Sequence, residues 1–317
     1  MHNLKTIFIA VNTSSGGGLG REILKRYRAE SAELSTKFYF CDLLNENIQK
    51  LREQIINSDA FVIAGGDGTV SHVVNDLKNI STPILIVPLG TGNDLGREFK
   101  IPYKIAKLSL SELVDFISTS DVNKLQTWNF RCETKNIEKL FCNYLSFGFD
   151  GAVIKTFDEV RKKPNYFLSR FGKWGNRITY GGVAIYHLFL RPGPVKVRFN
   201  NDPAGSISVI SLLFSNIQSI AGLGRSNSLS NPSDQKLEAL LIKGITKYLS
   251  FTSNLFVPYC FPEILNSSNE WGFTLENPVP GQIDGEPFMQ LLEGACKITP
   301  GPLLNLFNSP HSSAGNS

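Results

Sequence analysis

A chain of 317 residues with a formal charge of +4 carries too little net charge to argue for nucleic acid as a partner. Its length exceeds the ~100–200 residues of a typical domain, and an apolar fraction of 42% with 19% charged residues supports ordinary globular cores, so two domains are expected. Five cysteines without a Cys-x-x-Cys pair argue against a disulfide framework or zinc site, and no run approaches the ~20 apolar residues of a transmembrane helix, so the expected setting is cytoplasmic, soluble or peripheral to a membrane.

In chain order, strands are expected at Thr6–Val11, Lys37–Cys41, Ala60–Ala64 and Ile84–Val87, with helices over Glu22–Glu33, Asn45–Asn57, Val70–Leu77 and Ser109–Thr119. Alternation of this kind builds a parallel sheet covered by helices, here a doubly wound α/β domain over residues 1–123. From residue 124 the texture changes. Lys124–Glu133, Lys139–Phe147, Val195–Asn200, Ser206–Phe214, Leu237–Ile242, Trp271–Leu275 and Gly281–Leu291 read as strands divided by Gly and Pro turns, which predicts an antiparallel β-sandwich over 124–307. Within it, Asp150–His187 has helical character, and Trp128 and Trp271 are expected in the core. The tail 308–317, rich in Ser, Asn, Gly and Pro, is expected to be disordered.

Two glycine-rich loops follow the third and fourth strands: Gly65-Gly66-Asp67-Gly68-Thr69 and Pro88-Leu89-Gly90-Thr91-Gly92-Asn93-Asp94. Each leaves a buried strand and opens into a helix, at the sheet edge where open α/β sheets bind ligands. The amides of Gly66, Gly68 and Thr69, with the helix N-terminus behind them, suit phosphate oxygens. Asp67 is then placed to hold magnesium or to orient an attacking hydroxyl. Neither a P-loop nor a Gly-x-Gly-x-x-Gly fingerprint is present. His72, just beyond the first loop, is either a phosphate contact or a packing residue.

The run Pro88–Arg97, with the first loop ahead of it, resembles the catalytic domain of the diacylglycerol kinase family. That superfamily includes sphingosine and ceramide kinases and, more distantly, NAD kinase. Val11-Asn12-Thr13-Ser14-Ser15-Gly16-Gly17 is similar to the family's Asn-Pro-x-Ser-Gly loop, with Thr13 in place of proline, a change expected to loosen the turn. Asn143–Ala152 is similar to the family's Asn-Tyr-x-Ser-x-Gly-x-Asp-Ala segment, with Gly151 intervening, and Gln282–Phe288 resembles its Val-Asp-Gly-Glu-Pro motif. The resemblance implies an NAD-kinase-like first domain that binds Mg-ATP through Asn12, Ser15, Gly16, Gly17, Gly65, Gly66, Gly68, Thr69, Gly90, Thr91, Gly92 and Asn93. It places the acceptor near Asp94, Arg97 and Asp150, in a cleft closed by the second domain.

Residues i and i+2 of an extended strand share a face, so Asp284 and Glu286 could share one pocket, where paired carboxylates raise each other's proton affinity and suit a general base; the other reading of these residues is an Asp-Gly turn in a hairpin with Glu286 solvated. The resemblance implicates both Asp284 and Asp67 as that base. Many bacterial members carry Asp-Asp-Gly-x-Leu-Asp around a structural magnesium. Here the text is Ser233-Asp234-Gln235-Lys236-Leu237-Glu238, which leaves Asp234 either a metal ligand or a turn residue. The implied reaction is ATP-dependent phosphorylation of the primary hydroxyl of diacylglycerol to phosphatidic acid. A sphingoid-base or ceramide kinase is the nearest alternative, and an inactive nucleotide-binding regulator the alternative of another class.

Lys155–Arg198 sets ten basic residues against Asp158 and Glu159, a local charge of +8, interleaved with Tyr166, Phe167, Phe171 and Trp174. Such a segment reads as a patch for anionic lipid headgroups. A second copy of the chain, as a homodimer, is kept among the partners.

Overall fold

The computed structural model describes residues 4–90, 92–163, 172–190, 193–200, 205–219, 229–248 and 263–309. The chain forms two compact units, residues 1–125 with 302–317, and residues 126–301.

In the first unit, β1 (Thr6–Val11), β2 (Lys37–Asp42), β3 (Ala60–Gly65) and β4 (Ile84–Pro88) pair in parallel in the order β2-β1-β3-β4. Every residue of β3 and β4 is buried, as parallel strands covered on both faces require. The connecting helices are α1 (Leu19–Glu30), α2 (Arg52–Ile56), α3 (Asp67–Leu77), α4 (Asp94–Glu98) and α5 (Leu110–Thr119). Ser109 starts α5 through a capping box with Glu112. The helix expected over Asn45–Asn57 is instead a 3-10 turn at Ile48–Leu51 followed by the short α2, because the Asn47 side chain accepts the Gln49 amide and starts the turn there.

The second unit is built on β5 (Asp121–Cys132), β6 (Ile137–Phe141), β7 (Tyr144–Gly148), β8 (Val195–Phe199), β9 (Ser206–Val209), β10 (Ser211–Ser215), β11 (Leu237–Ile242), β12 (Glu263–Ser268), β13 (Trp271–Val279), β14 (Gly281–Ile283), β15 (Glu286–Pro287) and β16 (Leu292–Asn308). Two further helices are α6 (Phe149–Arg161) and α7 (Gly172–Leu190). One sheet runs β12-β11-β10-β7-β14-β15, the other β16-β13-β8-β9, with β5 beside β16 and β6 beside β5. The inner faces meet through aromatic side chains. Phe273 lies 5.7 Å from Phe147 and 5.1 Å from Phe214, ring centre to ring centre. Trp128 is fully buried and donates its indole N–H to Asn216 at 2.8 Å, and Trp271 stands against Phe199 and Phe214. Both tryptophans are therefore in the sandwich core, where a large apolar side chain contributes about 1.5–3 kcal/mol.

The carboxyl end of β16 belongs to the first unit, where Leu306 lies opposite Ile84 of β4 in parallel register. This return moves the division of the chain from the expected residue 307 to 301, and Asn308 ends a strand rather than beginning a tail. The cause is apolar: Leu304, Leu306 and Phe307 are all buried. Residues 310–317 lie outside the described residues.

Candidate functional site

Because β1, β3 and β4 are parallel neighbours, the loops after them leave the same sheet edge side by side. Hydrogen bonds tie them together. The Asn12 amide donates to the Ala64 carbonyl at 2.9 Å, and the Leu89 amide to the Gly65 carbonyl at 2.8 Å. The Asn12 side chain donates to the Thr69 hydroxyl at 3.0 Å, while its oxygen accepts the amide and hydroxyl of Ser14. Thr13 does not loosen its turn as expected: it is buried and its hydroxyl donates to Asp42 at 2.8 Å. Beyond it, Ser15–Gly18 lead into α1 through a kinked turn in which Gly16 (φ 67°) and Gly17 (φ 68°) take the left-handed conformation.

The first and second glycine loops touch backbone to backbone. A Cβ at Gly90 would lie 2.7 Å from the Gly66 Cα, and a Cβ at Gly66 would lie 3.1 Å from the Gly90 Cα. Only glycine permits that approach. Across the same contact, the Asp67 carboxylate accepts the amides of Asp94 at 2.9 Å and Leu95 at 3.1 Å, so it caps the start of α4 from the neighbouring loop. Burial pushes the Asp67 carboxyl above the ordinary carboxylate range, against the opposing pull of those amides and of Arg97. Asn93 takes a left-handed conformation and donates to the Gly90 carbonyl at 2.8 Å. Its side-chain oxygen is buried and has no hydrogen-bond donor among the described residues. Asp94 is 1% exposed and pairs with Arg97 at 2.9 Å, and Arg97 also donates to the Gly92 carbonyl. Thr91 lies outside the described residues.

The remaining predicted site residues fall in the second unit. Asp284 stands at φ 49° and Gly285 at φ 83°, the two central positions of the β14–β15 hairpin turn. This is the Asp-Gly hairpin reading, and it removes the extended strand that a shared face with Glu286 required. Asp284 is 4% exposed and its carboxylate accepts the amides of Cys142, Asn143 and Tyr144 at 2.9, 2.8 and 3.2 Å, whereas Glu286 is exposed. Those amides form the break between β6 and β7, so Lys139–Phe147 is two strands rather than the one expected.

Asp150 lies in the first turn of α6, reached through a sharp strand-to-helix turn at Gly148. Gly148 has φ 95°, and a Cβ there would meet the Ile210 carbonyl oxygen at 2.3 Å. Ser211 donates to Asp150 at 2.5 Å and Tyr248 at 3.0 Å. Sequence reasoning missed both of these hydroxyls, since a lone serine in a strand and a lone tyrosine carry no pattern.

A magnesium cage at Asp234 does not fit the residues present. The Asp234 carboxylate accepts the Lys236 amide at 2.9 Å in a local turn, and Gln235 adopts the left-handed conformation in place of the family's glycine. Glu238 is 2% exposed and bound by the Ser230 hydroxyl at 2.7 Å. Among the described residues no group of three or more His, Cys, Asp or Glu side chains is placed to hold a metal.

In the basic segment, Arg161 and Lys162 both pair with Asp158, and Arg198 pairs with Glu276, so part of the expected positive charge is neutralised locally. Tyr166, Phe167, Arg170, Phe171 and Arg191 lie outside the described residues, as do the side chains of Lys173, Trp174 and Arg177. His72 is exposed on α3 and reaches Asp76 at 3.3 Å.

Residues 6–125 match the model of the diacylglycerol kinase catalytic domain, and residues 140–287 match that of the diacylglycerol kinase accessory domain. Diacylglycerol kinase zeta of Rattus norvegicus is 29% identical over 205 residues, which cover 57% of this chain and 21% of the relative. A diacylglycerol kinase of Mycobacterium tuberculosis (strain ATCC 25618 / H37Rv) is 38% identical over 105 residues, 33% of this chain and 32% of that protein. The chain thus spans less than a third of the length of these relatives. The crystal structure of a diacylglycerol kinase from Bacillus anthracis str. Sterne superposes with a TM-score of 0.63 over 98% of this chain and 99% of its own, at 15% identity, a likeness of fold. With both domain models matched in order along the sequence, the chain belongs to the diacylglycerol kinase family.

Proposed function

We propose that the protein transfers the γ-phosphoryl group of ATP to the primary hydroxyl of diacylglycerol, giving phosphatidate. The observation that carries this reading is the backbone contact of Gly66 with Gly90, which brings two amide-rich loops and the N-terminus of α3 to one sheet edge. Asn12, Ser15, Gly16, Gly17, Gly65, Gly66, Gly68, Thr69, Gly90, Thr91, Gly92 and Asn93 are assigned to the nucleotide. Phosphoryl transfer depends chiefly on positioning and electrostatics, which backbone amides supply without reorganisation.

Asp67 is assigned to orienting the acceptor hydroxyl and taking its proton. A carboxyl group raised above its ordinary range takes up a proton more readily than an ordinary aspartate does. We assign Asp284 to holding the β6–β7 turn through its three amides, and Glu286 to a supporting role at the exposed hairpin. Magnesium entering with the nucleotide would supply charge neutralisation for the transferring group and would need few protein ligands, Asp67 being the carboxylate at these loops that could face it. Asp94, Arg97 and Asp150 are assigned to acceptor recognition.

Docking at an anionic lipid surface is part of the same proposal. On α7, Ile178, Ile185, Tyr186, Phe189 and Leu190 are exposed, Phe189 at 83%, which suits the apolar side of an interfacial helix. No helix among the described residues is long and apolar enough to cross a membrane. The test is transfer from labelled ATP to diacylglycerol in mixed micelles alongside ATP binding. Labelled phosphatidate supports the reading, and tight ATP binding without transfer to any lipid favours the regulator.

A further inference from the structure

Asn12–Ser15 is a tight turn between β1 and α1. The Ser15 amide donates to the Asn12 carbonyl at 3.0 Å, and Ser14 has φ −86° and ψ −15°, the conformation of the third residue of a type I turn. Thr13 is therefore its second residue, the place where proline is favoured because its ring presets φ. The similar loop of the family carries proline there. Threonine has no ring, so an untethered Thr13 would leave this turn with more conformations to lose on ordering.

A neighbouring strand supplies the tether. Asp42 ends β2 and lies opposite Val11 of β1 in parallel register, and the Leu43 amide donates to the Val11 carbonyl at 3.0 Å, so the two strand ends stay together beside the turn. The Asp42 carboxylate accepts the Thr13 hydroxyl at 2.8 Å, the Leu44 amide at 3.1 Å and the Asn45 side chain at 2.7 Å. Three donors fix its orientation. Partial burial pushes the other way, yet these hydrogen bonds hold the Asp42 carboxyl below its ordinary range, so the bond to Thr13 is charge-assisted. Thr13 is itself buried, which shields that bond from water. The helix α1 closes on the same turn: a Cβ at Gly20 would lie 2.2 Å from the Asn12 carbonyl oxygen and 3.2 Å from the Thr13 Cα.

The turn carries groups assigned to the nucleotide on both sides of Thr13. Ahead of it, the Asn12 side chain donates to the Thr69 hydroxyl at 3.0 Å; beyond it, the backbone runs from Ser15 into the left-handed Gly16 and Gly17. We propose that the Thr13–Asp42 hydrogen bond takes the place of a proline ring, fixing this turn so that Asn12 and the Ser15–Gly17 amides are preorganised for the ATP phosphates. Thr13 and Asp42 are then positioning residues for the nucleotide. This inference rests on the assignment of these loops to ATP.

The experiment titrates ATP and Mg²⁺ into wild-type protein, Thr13→Val, Thr13→Ser and Thr13→Pro in a calorimeter, with circular dichroism to check folding. No lipid is present, so a failure to phosphorylate diacylglycerol, which would overturn the kinase reading, leaves this result unaffected. Thr13→Val keeps the branched shape but loses the hydroxyl, and it is expected to weaken ATP binding by roughly 3- to 30-fold, part of what a hydrogen bond to a charged group contributes. Thr13→Ser keeps the hydroxyl and stays near wild type. Thr13→Pro also lacks the hydroxyl, yet its ring fixes φ, and its ATP affinity is expected near wild type. The Thr13 amide has no acceptor among the described residues, so proline removes no backbone bond. Valine and proline lose the same bond to Asp42, so a merely structural hydroxyl would weaken both variants alike. That result, or wild-type affinity in folded Thr13→Val, overturns the positioning role. If Thr13→Val fails to fold, Thr13→Ala is read against Thr13→Pro by the same rule. A wild-type protein that binds no ATP overturns the nucleotide assignment and this inference with it.

Discussion

Asp67 reaches out of the first glycine loop to accept the Asp94 amide of the second at 2.9 Å. The same carboxylate also accepts the Leu95 amide, so one side chain both stands at the edge assigned to the nucleotide and fixes the register of the two loops. Asp67→Asn keeps one acceptor oxygen and is expected to lower turnover by roughly 10²–10⁴-fold, the range for a positioned acid–base group, with a small change in stability. Asp67→Ala loses both bonds and is expected to unfold at measurably lower denaturant as well. Near-wild-type turnover in Asp67→Asn would remove the residue from the chemistry.

The contact of Gly66 with Gly90 makes a separate prediction. Gly90→Ala places a methyl group 2.7 Å from the Gly66 Cα, backbone that cannot swing aside. The loops must part, and misplacement of about 1 Å costs on the order of 10²-fold. The expected result is a rise in the KM for ATP with thermal stability little changed. Wild-type ATP affinity in this variant would show that the loops do not jointly hold the nucleotide.

Asp284 offers a way to tell positioning from catalysis. Asp284→Ala leaves three buried amides without their acceptor, each costing about 1–3 kcal/mol, so a loss of at least about 3 kcal/mol is expected in urea unfolding. Asp284→Asn retains one acceptor oxygen and is expected to lose part of that stability. A stable Asp284→Asn that has lost all turnover would instead make Asp284 the base.

Glu238 carries a pH prediction. Burial is the largest cause raising its carboxyl above the ordinary range, with the nearby charge of Asp234 adding to it. The folded state therefore binds this proton at higher pH than the unfolded chain, whose value lies near ~4.3. Between those two values the native state holds more protons, so this group's contribution makes stability rise as pH falls through the window. Glu238→Gln is expected to raise the midpoint of thermal unfolding at pH above the folded value and to leave it near wild type at low pH. An unchanged midpoint at neutral pH would contradict a destabilising charge there.

Much of the first unit is legible in the sequence because its signals are local. Apolar runs such as Ala60–Ala64 and Ile84–Val87 become buried parallel strands, and the glycine clusters after them mark the turns. What the sequence hides is non-local. The break at Cys142-Asn143 depends on a carboxylate at Asp284 in a distant hairpin. A shared face for Asp284 and Glu286 needed an extended strand; the left-handed turn at Asp284 is the hairpin alternative that the Asp-Gly pair also offered. The return of β16 to pair with β4 follows from burial of Leu306 and Phe307, residues that read locally as the end of the sandwich.

The most direct measurement offers labelled ATP and Mg²⁺ to the protein with diacylglycerol, sphingosine, ceramide and NAD together in equal amounts, and identifies the labelled product. Phosphatidate as the dominant product is the expected result. Label in NAD alone, or in no acceptor at all, would contradict a lipid kinase directed to diacylglycerol.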